Sequence, residues 1–378
     1  MSDSRLLEYA RELIALPSPS REPNLHVAGK MKEWLSELGF QIEEIGYTDP
    51  RGIPKLNLVA RRGEGSGGMA YFGHNDCVPV ENWTGPGGPF APVVENGRLY
   101  GRGSCDMKGS LAAMLEAARR TQHEPSRHPL YYVCTADEEV GYLGAREVAA
   151  RSQLYRELVT QDAWTVIGEA TGLQVVHAHK GGIGFRATAH GVAAHSSTRN
   201  GRNANLIMIP FLAELKAIYD EAEQDEKWHD AEFDPPTLCI NIGINDGNTA
   251  VNITAPQSVC TIYMRPMPGI DVTPLVDRIT EAASRHGLEL QKMFDGPAVR
   301  TDPRSPIVQD VLQLVGQAES HTVSYGTDAC AFREIESLVI FGPGDIAQAH
   351  TDDEWISLEQ LQQGADYYTQ LVRRWCHA

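Results

Sequence analysis

The chain has 378 residues, 42% hydrophobic and 22% charged, with a formal net charge of −17 at pH 7. A length beyond roughly 250–300 residues favours more than one structural unit, and the negative charge argues against nucleic acid and anionic membranes as partners. Seven scattered cysteines without a C-x-x-C pair favour a reducing compartment. Neither a secretory signal nor a run of about 20 apolar residues is found, so we expect a cytoplasmic protein.

The first part of the chain alternates helix and strand. Helices are predicted near 4–16, 24–38, 107–121 and 143–152, and strands near 40–46, 56–61, 69–75, 129–135 and 164–168. This alternation predicts an α/β fold with a mostly parallel sheet and helices on both faces. A Gly- and Pro-rich loop over 77–104 is long enough to suggest that it serves a functional site.

The pattern changes in the middle of the chain. The next predicted elements are a strand over 174–190, a helix over 202–222, strands over 237–245 and 256–265, a helix over 271–287 and a strand over 288–294. This β-α-β-β-α-β order is ferredoxin-like. The α/β pattern then resumes with a helix over 304–317, strands over 321–325 and 338–341, and a helix over 357–375. We therefore predict a main domain, residues 1–172 and 297–378, interrupted by an inserted ferredoxin-like α+β domain, residues 173–296.

Residues that can bind a metal follow four of the predicted strands. In chain order these are His74 with Asp76, Glu138 with Glu139, Glu169, and His350, and Asp106 lies in the intervening stretch GRGSCDMKGS. Open α/β sheets place their sites beyond the carboxyl ends of the strands. Carboxylates and imidazoles suit Zn²⁺ or a similar divalent ion. The sequence therefore predicts a metal-dependent hydrolase.

The charges of these residues balance those of two metal ions. Two Zn²⁺ with Asp106, Glu139, Glu169, two neutral imidazoles and one bridging hydroxide form a neutral centre, in which a shared carboxylate holds the ions about 3.5–4 Å apart. Asp76 lies two residues after His74 in an H-x-D pattern, so it can orient the imidazole. Adjacent glutamates point in different directions, so one of them can bind metal while the other transfers a proton.

Each motif also has a simpler explanation. A single H-x-D is a weak signal, and a D-E-E triplet is usually a solvated turn. His350 could belong to an acidic helix start, and Asp106 could lie near a helix cap. These explanations leave unexplained why all the motifs fall at strand ends, in one order, beside Gly-rich turns.

Eight motifs together resemble the blocks of one enzyme family across nearly the whole chain. They are GHNDCVPV, YGRGSCDMKGSLAAML, TADEEVGYLGA, VIGEAT, GVAAHSS, GRNA, YMRPMPG and FGPGDIAQAHTDDEW. The family is the zinc aminoacylases and metallopeptidases, which include acetylornithine deacetylase, succinyl-diaminopimelate desuccinylase, glutamate carboxypeptidase and aminoacylase. Within it, LQVVHAHKGGIGF, PTLCINIG, RPMPG and GPGDIAQAH are most similar to acetylornithine deacetylase.

The resemblance implies a role for each site residue. His74 and Glu169 would hold one zinc, Glu139 and His350 the other, and Asp106 would bridge them. Glu138 would be the general base, and Asp76, which orients His74, would be a further catalytic residue. His195 would polarise the amide carbonyl in the partner subunit's site, Arg265 and Asn252 would meet the substrate carboxylate, and Gly326 and Thr327 would line the pocket. Arg265 could instead be an ordinary salt-bridge partner. Leu206, Ile207, Ile209 and Phe211 could form either a core stripe or a dimer surface.

The activity implied is hydrolysis of a small N-acyl amino acid, with N-acetylornithine as the first candidate substrate and arginine biosynthesis as the setting. A hydroxide bridging two Zn²⁺ ions, for which Co²⁺ could substitute, would attack the acyl carbon. The inserted domain would act as lid and dimerisation domain of a homodimer. A desuccinylase, a metallo-dipeptidase or carboxypeptidase, and, more remotely, a catalytically dead ligand-binding relative remain as alternatives.

Overall fold

A computed structural model describes residues 4–377 of the chain. The chain divides into two compact units. The larger unit comprises the chain up to residue 178 together with 300–321 and the part from 327 onwards, and the smaller unit comprises 179–299 and 322–326.

The helices and strands of the described residues are as follows. The helices are α1 (Ser4–Ala15), α2 (Leu25–Glu37), α3 (Gly109–Arg120), α4 (Leu143–Arg151), α5 (Gln153–Thr160), α6 (Ala204–Gln224), α7 (Thr273–Arg285), α8 (Pro306–Val315) and α9 (Leu358–Val372). The strands are β1 (Gln41–Thr48), β2 (Pro54–Arg62), β3 (Met69–His74), β4 (Val93–Glu95), β5 (Arg98–Tyr100), β6 (Leu130–Thr135), β7 (Trp164–Ile167), β8 (Val176–His179), β9 (Gly182–His190), β10 (Asn241–Asn245), β11 (Gln257–Met264), β12 (Glu289–Gly296), β13 (Val299–Arg300), β14 (His321–Val323), β15 (Leu338–Ile340) and β16 (Trp355–Ser357).

A nine-stranded sheet forms the framework of the larger unit. Its order is β1-β2-β6-β3-β7-β15-β8-β13, with β14 beside β8. The four central strands β6, β3, β7 and β15 are parallel, whereas β1 and β2 on one side and β8 on the other pair antiparallel. Every residue of β3 and β6 is buried, as expected for central strands covered on both faces. The predicted α/β fold class is confirmed.

The parallel centre of this sheet explains why the metal-binding motifs meet. His74, the last residue of β3, lies opposite Thr135, the last residue of β6. The neighbouring strand β7 runs in the same direction and ends at Ile167. Loops that leave these three strands therefore start from one edge of the sheet, the edge where α/β proteins form their sites.

The smaller unit has an antiparallel sheet of order β10-β11-β9-β12, packed against α6 and α7. With helices after its first and third strands, this is the ferredoxin-like arrangement predicted from the sequence. The apolar residues of helix α6 differ in burial. Phe211 is buried, while Leu206 and Ile209 are 68% and 57% exposed. The stripe is therefore partly core and partly free surface of this unit.

Three local predictions were wrong. The single strand expected over 174–190 is two strands: β8 pairs with β15 in the large sheet, and β9 belongs to the small sheet. The chain passes from one sheet to the other at Gly181. A side chain is excluded at this position, because a Cβ on Gly181 would lie 2.4 Å from the carbonyl oxygen of Gly296. Helix α5 was missed, and the loop expected over 77–104 contains β4 and β5, which pair with each other.

The predicted domain boundaries also differ from the limits of the two units. The pairing of β8 with β15 keeps residues 173–178 in the larger unit, whereas residues 322–326 belong to the smaller one. Within residues 4–377, no helix has the length and apolar character needed to cross a bilayer.

Candidate metal centre

Four loops at one edge of the large sheet supply the acidic and imidazole side chains of the site. His74 ends β3, and Glu138 and Glu139 follow β6 in a turn. Glu169 comes two residues after β7, and His350 follows β15. Asp106 lies just before α3, in a turn whose backbone leaves the helical conformation at Asp106 and Met107. The orientation of the Asp106 carboxylate is therefore set by the backbone of this turn and not by helix α3.

The five predicted ligand residues form one cluster with Asp106 at its middle. The two carboxylate oxygens of Asp106 lie 3.0 Å from His74 Nε2 and 3.3 Å from His350 Nε2. On one side, His74 Nε2 is 3.6 Å from a Glu169 oxygen. On the other, His350 Nε2 is 3.0 Å from a Glu139 oxygen. The cluster therefore consists of two pairs, His74 with Glu169 and His350 with Glu139, that share Asp106.

Burial and mutual repulsion raise the pKa values of three carboxyl groups in the site. Burial is the main cause of the raised pKa for Glu138, Glu139 and Glu169, and repulsion from neighbouring carboxylates adds to it. The pKa of Glu139 rises to about 7. Hydrogen bonds to Asp106 and Glu139 raise the pKa of His350 to about 10. This part of the protein therefore attracts positive charge strongly.

The donor set fits a divalent metal ion. His74, Asp106 and Glu139 each offer a ligand atom, and these atoms lie within 4.8 Å of one another. Glu139 Oε1 is buried and has no hydrogen-bond partner among residues 4–377. Buried carboxylates in this number are costly unless cations compensate them. Oxygen and imidazole ligands suit Zn²⁺ and related ions.

Asp76 contacts both the imidazole and the glutamate turn. Its backbone oxygen lies 3.0 Å from His74 Nδ1, closer than its carboxylate oxygen at 3.5 Å. The carboxylate instead accepts hydrogen bonds from the backbone N–H of Glu138, at 3.2 Å, and from the Ser20 hydroxyl, at 2.6 Å. Asp76 therefore holds the imidazole mainly through its main chain, while its side chain fixes the start of the glutamate turn.

A buried lysine supports the same turn from behind. Lys55 Nζ lies 2.6 Å from Asp137 Oδ1 and donates to the carbonyl oxygens of Ser20, at 2.7 Å, and Glu22, at 2.8 Å. Tyr47 donates its hydroxyl hydrogen to the other oxygen of Asp137, at 2.8 Å. Sequence reasoning missed this network, because a lysine in an edge-side strand and a serine in a proline-rich loop carry no motif.

Two buried carboxylates near the site were also missed. Asp328 accepts a hydrogen bond from the Thr135 hydroxyl at the end of β6, and burial raises its pKa to about 7. Glu354 accepts four hydrogen bonds from the loop that carries Asp106. The sequence showed Glu354 only as one member of an acidic run beside His350, with nothing to indicate its burial.

The remaining predicted residues lie mostly in the smaller unit. His195 is exposed, and its Nδ1 is 2.7 Å from the Ser197 hydroxyl. The carbonyl oxygen of Asn252 accepts a hydrogen bond from the residue after His195, which places these two predicted residues side by side. The guanidinium of Arg265 lies 4.7 Å from the centre of the Tyr263 ring.

Gly326 and Thr327 lie at a junction in the chain. Gly326 is the last residue of the smaller unit's second segment, and Thr327 begins the larger unit's last segment. Thr327 is buried, and its hydroxyl oxygen accepts a hydrogen bond from the Ala329 N–H at 3.2 Å.

Comparison with known proteins supports this chemistry. Residues 70–374 match the model of Peptidase family M20/M25/M40. The chain belongs to this peptidase family. The family is metal-dependent, so this member is a metal-dependent hydrolase, and the resemblance recognised from the motifs is confirmed.

Curated members of the M20 family match the chain over almost its full length. The acetylornithine deacetylase of Proteus mirabilis (strain HI4320) is 32% identical over 391 residues, covering 98% of this chain and 97% of that protein. The acetylornithine deacetylase of Yersinia pestis is 33% identical over 394 residues, with 98% and 97% coverage.

Solved structures with the same fold include M20 peptidases of several kinds. The metallo-carboxypeptidase Sso-CP2 from Sulfolobus solfataricus has a TM-score of 0.78 at 18% identity, covering 98% of this chain and 99% of its own. The dipeptidase Dug1p from Saccharomyces cerevisiae has a TM-score of 0.77 at 15% identity, with 98% and 96% coverage. The YXEP protein of Bacillus subtilis, described as a dinuclear metal-binding peptidase, has a TM-score of 0.66 at 15% identity, with 98% and 97% coverage.

Proposed function

We propose that this M20 member is a two-metal amidohydrolase that removes the acetyl group from N-acetylornithine, a step of arginine biosynthesis. The observation that carries the proposal is the double cluster around Asp106 in a chain whose full-length relatives are named acetylornithine deacetylase. The dinuclear description of the Bacillus subtilis neighbour supports two metal ions.

The two contact pairs suggest how the ligands divide. His74 and Glu169 would hold one ion, His350 and Glu139 the other, and Asp106 would contribute one oxygen to each. We propose Zn²⁺ as the metal, with Co²⁺ able to substitute, because both accept imidazole and carboxylate ligands. When bound, a metal pair would polarise the acyl carbonyl and lower the pKa of a water molecule.

Glu138 is proposed as the general base. It is buried in the glutamate turn next to Glu139, and burial, with repulsion from the neighbouring carboxylates, raises its pKa. In this role Glu138 takes a proton from the attacking water and delivers it to the leaving nitrogen. The hydrogen bond from its N–H to Asp76 fixes the backbone from which the side chain projects.

The smaller unit is proposed to supply the groups that recognise the substrate. His195 would stabilise the developing oxyanion, a contribution typically worth several kcal/mol. Arg265 would bind the free carboxylate of the amino acid, because a guanidinium matches carboxylate geometry, and the Tyr263 ring would hold it in place. Asn252, Gly326 and Thr327 would complete the pocket.

We also propose a homodimer formed through the smaller unit. Leu206 and Ile209 on α6 and Ile244 on the edge strand β10 are all more than half exposed. Ile209 and Ile244 line a surface cleft of about 320 Å³. Exposed apolar side chains that line one cleft support an interface at this face. In such a dimer His195 would act in the partner's site.

A substrate panel on metal-reconstituted enzyme tests the proposed function. The metal is removed by chelation, Zn²⁺ or Co²⁺ is added back, and kcat/KM is measured for N-acetylornithine, N-succinyl-diaminopimelate and simple dipeptides. We expect N-acetylornithine to be preferred by roughly tenfold or more, a ratio that pocket contacts can supply. Glu138→Ala protein serves as the inactive control.

A preference for the succinylated substrate or for dipeptides would replace the proposed substrate with one of the family's other activities. The dipeptidase alternative, already implied by the family resemblance, is kept because solved structures with the same fold include dipeptidases. Activity on none of the substrates, with metal bound, would favour the catalytically dead relative.

A further inference from the structure

Glu354 lies in the segment that follows His350 and leads into β16, and its carboxylate is 1% exposed. The sheet pairing of β16 with β5 joins this segment to the loop before α3. A hydrogen bond from the Gly101 N–H to the main-chain carbonyl oxygen of Glu354, at 3.0 Å, also connects the two segments. The main chain thus holds the two segments together without the Glu354 side chain.

The Glu354 carboxylate makes four hydrogen bonds, all of them to the loop that carries Asp106. Oε1 accepts from the backbone N–H groups of Cys105, at 2.8 Å, and Asp106, at 3.0 Å. Oε2 accepts from the Gly103 N–H, at 2.9 Å, and from the Arg102 guanidinium, at 2.8 Å. A carboxylate offers about four acceptor positions, so every position of Glu354 is occupied.

The loop needs an acceptor of this kind because it is not helical at Asp106. The backbone angles of Asp106 and Met107 are φ −122°, ψ 94° and φ −132°, ψ 32°, far from those of a helix. The N–H of Asp106 therefore lies outside the regular hydrogen bonding of α3, and Glu354 accepts its hydrogen instead. The same backbone carries the carboxylate that contacts both His74 and His350.

We propose that Glu354 is a positioning residue that presets the Asp106 carboxylate to serve both halves of the metal cluster. The inference rests on the proposed function, because it takes Asp106 as the shared ligand. Glu354 touches neither reacting atoms nor metal in this role. It acts by accepting hydrogen bonds from the backbone N–H groups of Cys105 and Asp106, which fix the position of the Asp106 carboxylate. Loss of Glu354 would therefore weaken metal binding. Outer partners of metal ligands typically change affinity by about 10- to 100-fold.

The test compares Glu354→Gln with the matched control Glu359→Gln, an exposed glutamate on α9 whose substitution leaves the site untouched. Glutamine keeps the size of the side chain but turns an amino group towards N–H donors, so two of the four hydrogen bonds are lost. Zn²⁺ affinity is measured by competition with a chelating dye, and the melting temperature is measured with and without Zn²⁺. We expect a 10- to 100-fold weaker Kd for Glu354→Gln and a wild-type Kd for the control.

The thermal measurement separates positioning from simple stabilisation. A ligand raises the melting temperature according to its affinity for the folded protein. A positioning role predicts that the gain in melting temperature caused by Zn²⁺ shrinks in Glu354→Gln. A purely structural role predicts a lower melting temperature for the metal-free variant with the same gain on adding Zn²⁺, and that result would overturn the proposal.

Glu354→Asp provides a second variant if the glutamine form does not fold. Aspartate keeps the charge but is one methylene shorter, so it cannot reach both halves of the loop. We expect a weaker Kd than that of the wild type, and an unchanged Kd would contradict the proposal. Failure of the proposed function would look different, because wild-type enzyme would then bind metal without hydrolysing N-acetylornithine, or would bind no metal at all.

Discussion

Replacing Lys55 by methionine should destabilise the larger unit by removing the cation behind the glutamate turn. Lys55 is fully buried, and its three N–H hydrogens face Asp137 at 2.6 Å and the carbonyl oxygens of Ser20 and Glu22 at 2.7 and 2.8 Å. Methionine fills the space but leaves a buried carboxylate and two carbonyl groups without their donor. Removing one partner of a buried ion pair costs about 3–5 kcal/mol.

The assay is urea unfolding followed by fluorescence, with Lys30→Met as the control. Lys30 forms ion pairs with Glu12 and Glu33 at the surface, so its loss should change the unfolding free energy by less than about 1 kcal/mol. The double variant Lys55→Met with Asp137→Leu removes both charges and should recover the part of the loss that comes from the unpaired carboxylate. A cost below about 1 kcal/mol for Lys55→Met, or no recovery in the double variant, would refute the assignment of this ion pair as a support of the turn.

Three further predictions concern catalysis, assembly and pH. Glu138→Ala should keep its metal and lose on the order of 10²–10⁴ in kcat, whereas Glu139→Ala should lose metal affinity as well; the reverse pattern of metal loss would exchange the two roles. Mixed subunits of inactive Glu138→Ala and inactive His195→Ala proteins should regain activity on exchange, and dead mixtures or an active monomer would place His195 in its own chain's site or outside catalysis. Burial, with Arg265 nearby, lowers the pKa of His179 from 6.5 to about 4. Between pH 6.5 and 4, His179 binds a proton in the unfolded chain but not in the folded protein. The free energy of unfolding should therefore fall by roughly 3 kcal/mol as the pH drops across this range. Urea unfolding midpoints measured over the same range should fall less in His179→Gln than in the wild type.

The fold and the centre of the site could be predicted because their signals lie in short stretches of sequence. Buried parallel strands are continuous apolar runs, and several of the predicted ligands lie at or just beyond their ends: His74 is the last residue of β3, and Glu169 comes two residues after β7. The ferredoxin-like unit was visible in the order of its helices and strands.

The parts that could not be predicted depend on contacts between distant residues. Lys55 is buried because it faces Asp137, 82 residues later in the numbering, and neither residue has a local pattern that shows this. Glu354 and Arg102 are 252 residues apart. The break between β8 and β9 was missed for a related reason, since alternation continues across two glycines while the chain passes from one sheet to another.

Activity on N-acetylornithine, measured while Zn²⁺ is titrated into carefully demetallated protein, tests the central claim most directly. Two contact pairs sharing Asp106 predict that activity rises with added metal and reaches its plateau at about two ions per chain, by the two-metal logic. His74→Ala should lower the amount of metal bound at that plateau. Full activity in the chelated protein, or a plateau with no metal bound, would contradict the account.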